Sequence, residues 1–316
     1  MSILPPNKPQ TPKDTPRNFF IWGPTMGGKS FLASQFPNAL VFNTDGNAEA
    51  NTIPSVQLRN LKDKNGRITR SVIEQLDKLL TALQTEKHSY ETVILDVIDD
   101  IIVMIEQYIC DKEKVETLGD IGYGKGYAAF TNIFQQLVIE LKALPMNVIY
   151  ISRNASKMEG QTEIEIPSLK EKHQNMVNGN CDLSIQCKKV GKNYIRVVKA
   201  RRKDYERAQV DDKKILKILD TITGVFGKSV KTTKKQQDEI VKELEKREDV
   251  LAVANEEKVE PDEFSKDASQ SVDSDPGTKP EATEAKKEKT KAPINKVESN
   301  KPAVTGAASK RIKPKI

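Results

Sequence analysis

The sequence predicts an α/β domain whose mostly parallel sheet is flanked by helices, followed by a C-terminal β-hairpin and a low-complexity tail. Two observations support this fold class. Short apolar runs alternate with amphipathic segments, the pattern of parallel strands joined by crossover helices. Aromatic residues, which build cores, are confined to one part of the chain: the single Trp, all 7 Tyr and all but one of the 9 Phe precede residue 257.

Composition divides the 316 residues into four segments. Residues 1–16, rich in Pro and polar residues, are expected to form a flexible arm. Residues 17–228 carry the apolar pattern of one globular domain, and 229–250 are expected to form a charged helix. Residues 251–316 are dominated by Lys, Glu, Ser, Pro, Ala and Thr. They bury too little apolar surface to offset chain entropy, so we expect them to be disordered.

Composition also argues against several classes of protein. The chain has neither the apolar core of a signal peptide nor an apolar run of about 18 residues, so we expect no membrane span. The 3 cysteines form no C-x-x-C pair, which disfavours a zinc site or disulfide framework and favours a cytoplasmic setting. The net charge of +6 permits nucleic-acid binding without requiring it.

Residues 23–30 have the sequence GPTMGGKS, which fits G-x-x-x-x-G-K-[ST] at every required position. An apolar strand precedes this motif and a short helix follows it, which is the setting of a phosphate-binding loop. Glycines let backbone N–H groups converge on phosphates, Lys29 would reach the β and γ phosphates, and the Ser30 hydroxyl would bind Mg²⁺. The predicted nucleotide-binding residues are Gly23, Pro24, Thr25, Met26, Gly27, Gly28, Lys29, Ser30 and Phe31.

Acidic residues follow two of the predicted strands. Asp45 comes just after the second strand, and the apolar run at 90–96 ends on Asp96. Because the carboxyl ends of parallel strands meet at one edge of a sheet, both lie where a site is expected. Asp96 has the place of the acid that orients the water shell of Mg²⁺, with an ordinary loop aspartate as the alternative. Asp99 and Asp100 are weaker candidates, because acids are favourable at a helix start anyway.

Two further segments contain candidate contacts to DNA. The glycine-rich stretch 119–127 carries two tyrosines and a lysine that could stack on bases and contact phosphates, or it is simply a flexible connection into a helix predicted from Ala128. The polar stretch 160–180 is predicted to be a loop. The candidate DNA contacts in these segments are Tyr123, Lys125, Tyr127, Lys170 and Lys172.

Two alternating runs at 183–187 and 194–198 predict a β-hairpin. A basic cluster follows it, which includes Lys199 and Arg201. Such a cluster either forms a solvated face or contacts phosphate, from nucleic acid or from the nucleotide of a neighbouring subunit.

In order and spacing, these features resemble a family of phage-encoded, RecA-like ATPases of the phosphate-loop class over roughly residues 17–225. Its members are described as phage nucleotide-binding or AAA-type proteins, and some act as single-strand annealing recombinases. The resemblance implies a RecA-like P-loop NTPase core that uses ATP and Mg²⁺.

The resemblance also implies roles for individual residues. In the family, an acid at the end of the second strand polarises the attacking water, a place that Asp45 takes here although Glu is usual. A polar residue after the strand at 147–152 senses the γ-phosphate, and Arg153 stands there instead of the Gln of RecA. The candidate catalytic residues are then Lys29, Asp45 and Asp96, the metal ligands Ser30 and Asp96, and the residues acting across a subunit boundary Lys199 and Arg201.

The sequence therefore predicts an ATP-hydrolysing protein that acts on single-stranded DNA in phage recombination or replication. It is expected to form a homo-oligomer in the cytoplasm of a bacterial host, with a single-strand-binding protein as a further candidate partner. The main alternative is a nucleotide-gated DNA-binding or scaffold protein with little ATPase activity, if Asp45 is too short to catalyse. A small-molecule kinase is disfavoured, because we recognise no second arginine-rich lid.

Overall fold

The computed structural model describes residues 7–8, 14–46, 52–159 and 162–256, and only the backbone of 247–256. These residues belong to one unit, Met1–Glu257. The arm predicted at 1–16 and the tail predicted at 251–316 fall mostly outside the described residues, so the predicted domain boundaries stay a prediction.

The described residues form both strands and helices. The strands are β1 (Asn18–Trp22), β2 (Ala39–Asn43), β3 (Ser55–Gln57), β4 (Leu61–Lys62), β5 (Ile68–Arg70), β6 (Thr92–Asp96), β7 (Asn147–Ser152), β8 (Asn154–Glu159), β9 (Thr162–Pro167), β10 (Leu183–Val190) and β11 (Asn193–Arg201). The helices are α1 (Lys29–Ser34), α2 (Val72–Thr85), α3 (Ile98–Glu113), α4 (Lys125–Ala143), α5 (Glu171–Asn178), α6 (Lys213–Leu219) and α7 (Lys234–Glu256).

One sheet of seven strands, in the order β11-β10-β1-β7-β6-β2-β3, organises the fold. Its neighbouring strands pair in parallel from β10 to β3, and β11 is added to β10 in the antiparallel direction. β7 lies between β1 and β6, so the strand that leads into the phosphate loop and the strand that ends at Asp96 are separated by one strand. The mostly parallel α/β fold predicted from the sequence is confirmed.

The central strands are buried because helices cover both faces of the sheet. β1, β2, β6 and β7 are buried along their whole length. Alternate residues of one strand enter different cores. Phe20 of β1 packs in the core with residues of α2, α3 and α4, whereas Phe19 and Ile21 pack in the core with residues of α1 and α6.

The prediction of a loop over 160–180 is wrong. This stretch contains β9, which pairs with β8 in a two-stranded antiparallel sheet, and α5. α5 buries His173 and Val177, and the His173 ring lies 4.8 Å from the ring of Phe130 on α4. β9 does alternate, with Ile164 and Ile166 beside acidic residues, but the polar composition of the stretch favoured a loop. α5 has only two apolar residues, Met176 and Val177, which are too few to show a helical period.

α7 is the last element of the described part of the chain, and its described side chains are exposed. Ile240 and Leu244 lie one turn apart on its surface, each about half exposed. In the ranges that the structure describes, no helix is both long enough and apolar enough to cross a membrane.

Ser71 caps the N-terminus of α2, because its hydroxyl accepts a hydrogen bond of 3.1 Å from the backbone N–H of Glu74. We expect Ser71→Ala to lower the free energy of unfolding by about 1 kcal/mol, the usual effect of losing such a cap. Urea denaturation followed by circular dichroism measures this change. Thr81→Ala, on an exposed position of the same helix, should leave stability equal or slightly higher. Equal stability of the Ser71 variant and the wild type would contradict the prediction.

Candidate functional site

The phosphate loop connects β1 to α1 and lies directly on the backbone of β10. A Cβ atom at Gly23 would stand 1.9 Å from the carbonyl oxygen of Cys187, and one at Gly27 would stand 2.8 Å from that of Pro24 and 2.9 Å from that of Cys187. Gly28 has a φ of +87°, which side chains rarely adopt. The glycines of the motif are therefore required by contacts and backbone conformation, and they leave a cradle that a side chain would fill.

Lys29 is buried beside this cradle. Its Nζ donates hydrogen bonds of 2.8 Å to the carbonyl oxygens of Gly23 and Pro24. Burial lowers the pKa of the ammonium, while the nearby carboxylate of Asp96 acts in the opposite direction. A buried cation is stabilised by an anionic partner, so the position of Lys29 fits a phosphate group.

Ser30 and Asp96 form a second polar pair at the end of β6. The Ser30 hydroxyl donates a hydrogen bond of 2.6 Å to Oδ2 of Asp96. Burial raises the pKa of the Asp96 carboxyl, although this hydrogen bond opposes the effect. A neighbouring cation would favour the ionised carboxylate, and hydroxyl and carboxylate oxygens are ligands that Mg²⁺ accepts. The pair therefore fits Mg²⁺.

Mg²⁺ would need further oxygen ligands at this place. Among the described residues, no cluster of three or more His, Cys, Asp or Glu could hold a metal ion. Magnesium sites in nucleotide-binding proteins usually combine one or two protein groups with phosphate and water oxygens. Ser30 and Asp96 are the protein groups available here, which makes the site dependent on the nucleotide.

Asp45 and Arg153 lie at the same edge of the sheet as this pair. They line a cavity of about 360 Å³ together with Lys29, Ser30 and Asp96. Asp45 is exposed, and its backbone N–H donates to Oδ1 of the Asn43 side chain at 3.3 Å. The structure thus brings together the predicted phosphate loop and the three strand-end residues that the sequence selected.

The guanidinium of Arg153 is held by Asp100, one of the weaker candidates from the sequence. It donates two hydrogen bonds to the Asp100 carboxylate, of 2.6 and 3.0 Å, and Asp100 also accepts one of 3.0 Å from Thr44. Asp99 accepts hydrogen bonds from the backbone N–H of Arg153 and from the Ser168 hydroxyl. The available sequence signal is a pair of acids directly after the strand that ends at Asp96, which the preference of acids for a helix start also explains.

A second cavity, of about 690 Å³, lies at the phosphate loop beside the β10–β11 hairpin. Its walls include Phe31 of α1 and three hairpin residues, Lys189, Tyr194 and Arg196. The Tyr194 ring comes within 3.0 Å of the Cβ position of Gly28. The sequence predicted the hairpin but not that these three residues face the loop, because that depends on the strand register.

Lys199 and Arg201 lie toward the other end of β11. Arg201 pairs with Leu183, the first residue of β10, whereas the phosphate loop lies at the end where the parallel strands finish. The Arg201 guanidinium donates to the carbonyl oxygen of Gly224 at 3.0 Å and forms an ion pair of 3.1 Å with Asp204. The structure therefore does not bring these two residues to the phosphate loop of their own chain, and action across a subunit boundary stays a prediction.

The five candidate DNA contacts cluster around the first turns of α4 and α5. Tyr123 is fully exposed and Tyr127 is 57% exposed. Tyr127 and Lys170 line one cavity, Lys172 donates a hydrogen bond to a hydroxyl of α4, and Lys125 is the first residue of α4. α4 ends just before β7 begins, so its first turn lies toward the edge of the sheet that carries the phosphate loop.

A cradle of backbone and glycine, a buried lysine and a serine–aspartate pair at the ends of parallel strands define a nucleotide-binding protein of the phosphate-loop NTPase class. A family model described as an AAA domain matches residues 15–229. The chain therefore belongs to the AAA-domain family. This match covers the seven-stranded sheet and every residue of the site described above. No curated protein matches the chain.

The close contact of Gly27 with Pro24 and Cys187 gives a direct test of the cradle. We expect Gly27→Ala to weaken nucleotide binding by about tenfold or more, equivalent to ~1.4 kcal/mol, because the added methyl group displaces the loop. Isothermal titration with Mg-ATP measures the affinity. Gly119→Ala is the matched control, since its methyl group would meet only ordinary contacts at 3.5 and 3.6 Å. Equal affinity of the two variants would show that the loop does not hold the phosphates.

Proposed function

We propose that this protein hydrolyses ATP and acts on single-stranded DNA in phage recombination or replication. The observation that carries the proposal is the cavity in which Asp45, Asp96 and Arg153 meet Lys29 and Ser30. This arrangement supplies a phosphate-binding cation, a pair of groups for Mg²⁺, an exposed carboxylate and a second cation. The resemblance to RecA-like phage ATPases supports the DNA substrate, the homo-oligomer, the bacterial cytoplasm and a single-strand-binding protein as partner.

The proposed reaction is in-line attack of water on the γ-phosphate, in which positioning and charge stabilisation supply most of the catalysis. Lys29 would exchange its two backbone carbonyls for β- and γ-phosphate oxygens. The Ser30 hydroxyl and the Asp96 carboxylate would hold Mg²⁺ and its water shell. When bound, Mg²⁺ neutralises charge on the phosphate oxygens.

Asp45 and Arg153 are assigned to the other side of the γ-phosphate. The Asp45 carboxylate would accept a hydrogen bond from the attacking water and so orient it. Arg153 would stabilise the charge that develops on the γ-phosphate, since a guanidinium can bind two phosphate oxygens at once. To do so it must exchange the Asp100 carboxylate for phosphate.

A DNA-binding face is proposed at the first turns of α4 and α5. Tyr123 and Tyr127 are exposed aromatic side chains on which bases can stack, and Lys125, Lys170 and Lys172 supply charges for the phosphate backbone. This combination of aromatic platforms and cations favours single strands, because only unpaired bases expose their faces.

A nucleotide-gated DNA-binding or scaffold protein with little ATPase activity is the second candidate. Two observations favour it. Asp45 is exposed and one methylene group shorter than the usual Glu, and Arg153 is paired with Asp100. In that case nucleotide binding would order the site without efficient attack by water.

The two candidates differ in their turnover. On the first, Lys29→Ala reduces phosphate release to background, a loss of about 10²-fold or more, and Asp45→Asn gives a loss of similar order. On the second, the wild type binds ATP but releases no phosphate. A phosphate-release assay with and without single-stranded DNA, run beside a mass measurement of the oligomer, separates them. Asp77→Asn, on an exposed position of α2, is the control and should keep wild-type turnover.

The DNA face is tested separately from hydrolysis. We expect Tyr123→Ala to weaken binding of single-stranded DNA by ~1–3 kcal/mol, the usual loss for one stacked base. Lys125→Ala should lower the dependence of log affinity on log salt by about 0.7, because one phosphate contact is lost. Fluorescence anisotropy with a labelled oligonucleotide at several salt concentrations measures both. Lys217→Ala on α6 is the control, and loss of DNA binding in that variant alone would place the DNA face elsewhere.

A further inference from the structure

Two aromatic side chains on the walls of the 690 Å³ cavity are exposed. Phe31 is 64% exposed and Tyr194 is 55% exposed, whereas Phe19, Phe20, Phe42 and similar rings of the core are completely buried. Exposed aromatic surface that lines a cavity, unlike a single ring on a flat surface, marks a ligand site. The cavity also adjoins Gly28 and Lys29, so anything bound there lies next to the phosphates.

A cation lies over each of these rings. The Arg196 guanidinium lies over the Phe31 ring, 5.9 Å from its centroid, and Nζ of Lys189 lies 5.5 Å from the centroid of Tyr194. Arg196 is itself held by a hydrogen bond of 2.9 Å to the hydroxyl of Thr221. Cation–π contacts at exposed positions contribute about 0.5–1 kcal/mol, which favours the observed orientation of each ring. The rings are therefore preorganised for a flat ligand.

The chemistry of the walls shows which flat ligand fits. Of the described side chains that line the cavity, none carries a carboxylate or a carboxamide. A carboxamide reads the edge of adenine, and an arginine or lysine reads the edge of guanine. The two cations of the hairpin, Arg196 and Lys189, lie over aromatic rings instead, and Arg196 also donates a hydrogen bond to Thr221. The walls offer ring faces, cations and the exposed thioether of Met26. A base bound here is therefore held by stacking on its faces and not by hydrogen bonds to its edge.

We propose that this cavity binds the purine base of the nucleotide whose phosphates occupy the loop, and that it discriminates little between adenine and guanine. Tyr194 and Phe31 bind the base by stacking, and Arg196 and Lys189 orient the two rings. The inference rests on the proposed binding of a nucleoside triphosphate and adds the class of base. It makes Tyr194 a base-binding residue of the same site.

Affinities of the full chain for Mg-ATP, Mg-GTP, Mg-CTP and inorganic tripolyphosphate test the inference by isothermal titration. ATP and GTP should bind within about threefold of each other, and CTP more weakly because its ring offers less stacking area. Tyr194→Ala should weaken ATP and GTP about tenfold each and leave tripolyphosphate unchanged. Tyr194→Phe should retain wild-type affinity. Val190→Ala, exposed at the end of the same hairpin, is the matched control and should change nothing.

Several results would overturn the inference. A preference for ATP over GTP of more than about tenfold would show that the base edge is recognised. An equal loss for tripolyphosphate and ATP in Tyr194→Ala would mean that Tyr194 only supports the loop at Gly28. An unchanged affinity for ATP in Tyr194→Ala would refute the base site and leave the proposed function intact. Failure of the wild type to bind either ATP or tripolyphosphate would refute both.

Discussion

The contact between the phosphate loop and the carbonyl of Cys187 on β10 is the constraint on which the rest of the site depends. A Cβ atom at Gly23 would lie 1.9 Å from that oxygen, so the loop can follow its path only where the side chain is absent. β10 continues through the hairpin into β11, which carries Tyr194 against Gly28. One pair of strands therefore positions both the loop that holds phosphates and the ring proposed to hold the base. β1 also positions the phosphate loop, because it pairs with β10 and leads directly into the loop.

The groups that are proposed to bind phosphate and metal already have partners within the chain. Lys29 donates to two carbonyls, Ser30 donates to Asp96, and Arg153 donates to Asp100. Binding of a nucleotide would then replace hydrogen bonds within the chain by hydrogen bonds to the nucleotide. Because one bond replaces another, each exchange changes the free energy by less than the ~1.5–3 kcal/mol that a hydrogen bond to a charged group contributes when it forms. The favourable part of binding would come from placing phosphate charge beside the desolvated ammonium of Lys29 and from covering the exposed rings beside the loop.

Buried strands and the phosphate loop could be predicted from the sequence, because burial on both faces leaves continuous apolar runs and the loop requires glycine at fixed positions. β9 carries a strand signal in the alternation of Ile164 and Ile166 with glutamates, which the polar composition around it outweighed. α5 could not be predicted, since it buries only His173 and Val177 and therefore shows no apolar stripe.

Charge and the family resemblance selected Lys199 and Arg201 for action across a subunit boundary, which stays a prediction. Within one chain, position along β11 decides which cations reach the loop. Arg196 and Tyr194 do so because they lie near the turn, on the face that meets α1. Strand register determines that face, and a shift of one residue would have turned both side chains away.

On the proposed function, Arg153 connects the nucleotide site to the DNA face. Coupling between two sites needs an element with two discrete arrangements, and Arg153 has two competing partners, the Asp100 carboxylate and the γ-phosphate. Its backbone N–H binds Asp99, which also binds the Ser168 hydroxyl two residues before Lys170. A movement of Arg153 toward phosphate would pull on Asp99 and on the segment that begins α5. The first turn of α5 and the lysines proposed to hold DNA would move with it. A nucleotide bound in the phosphate loop would therefore change the affinity of the protein for single-stranded DNA.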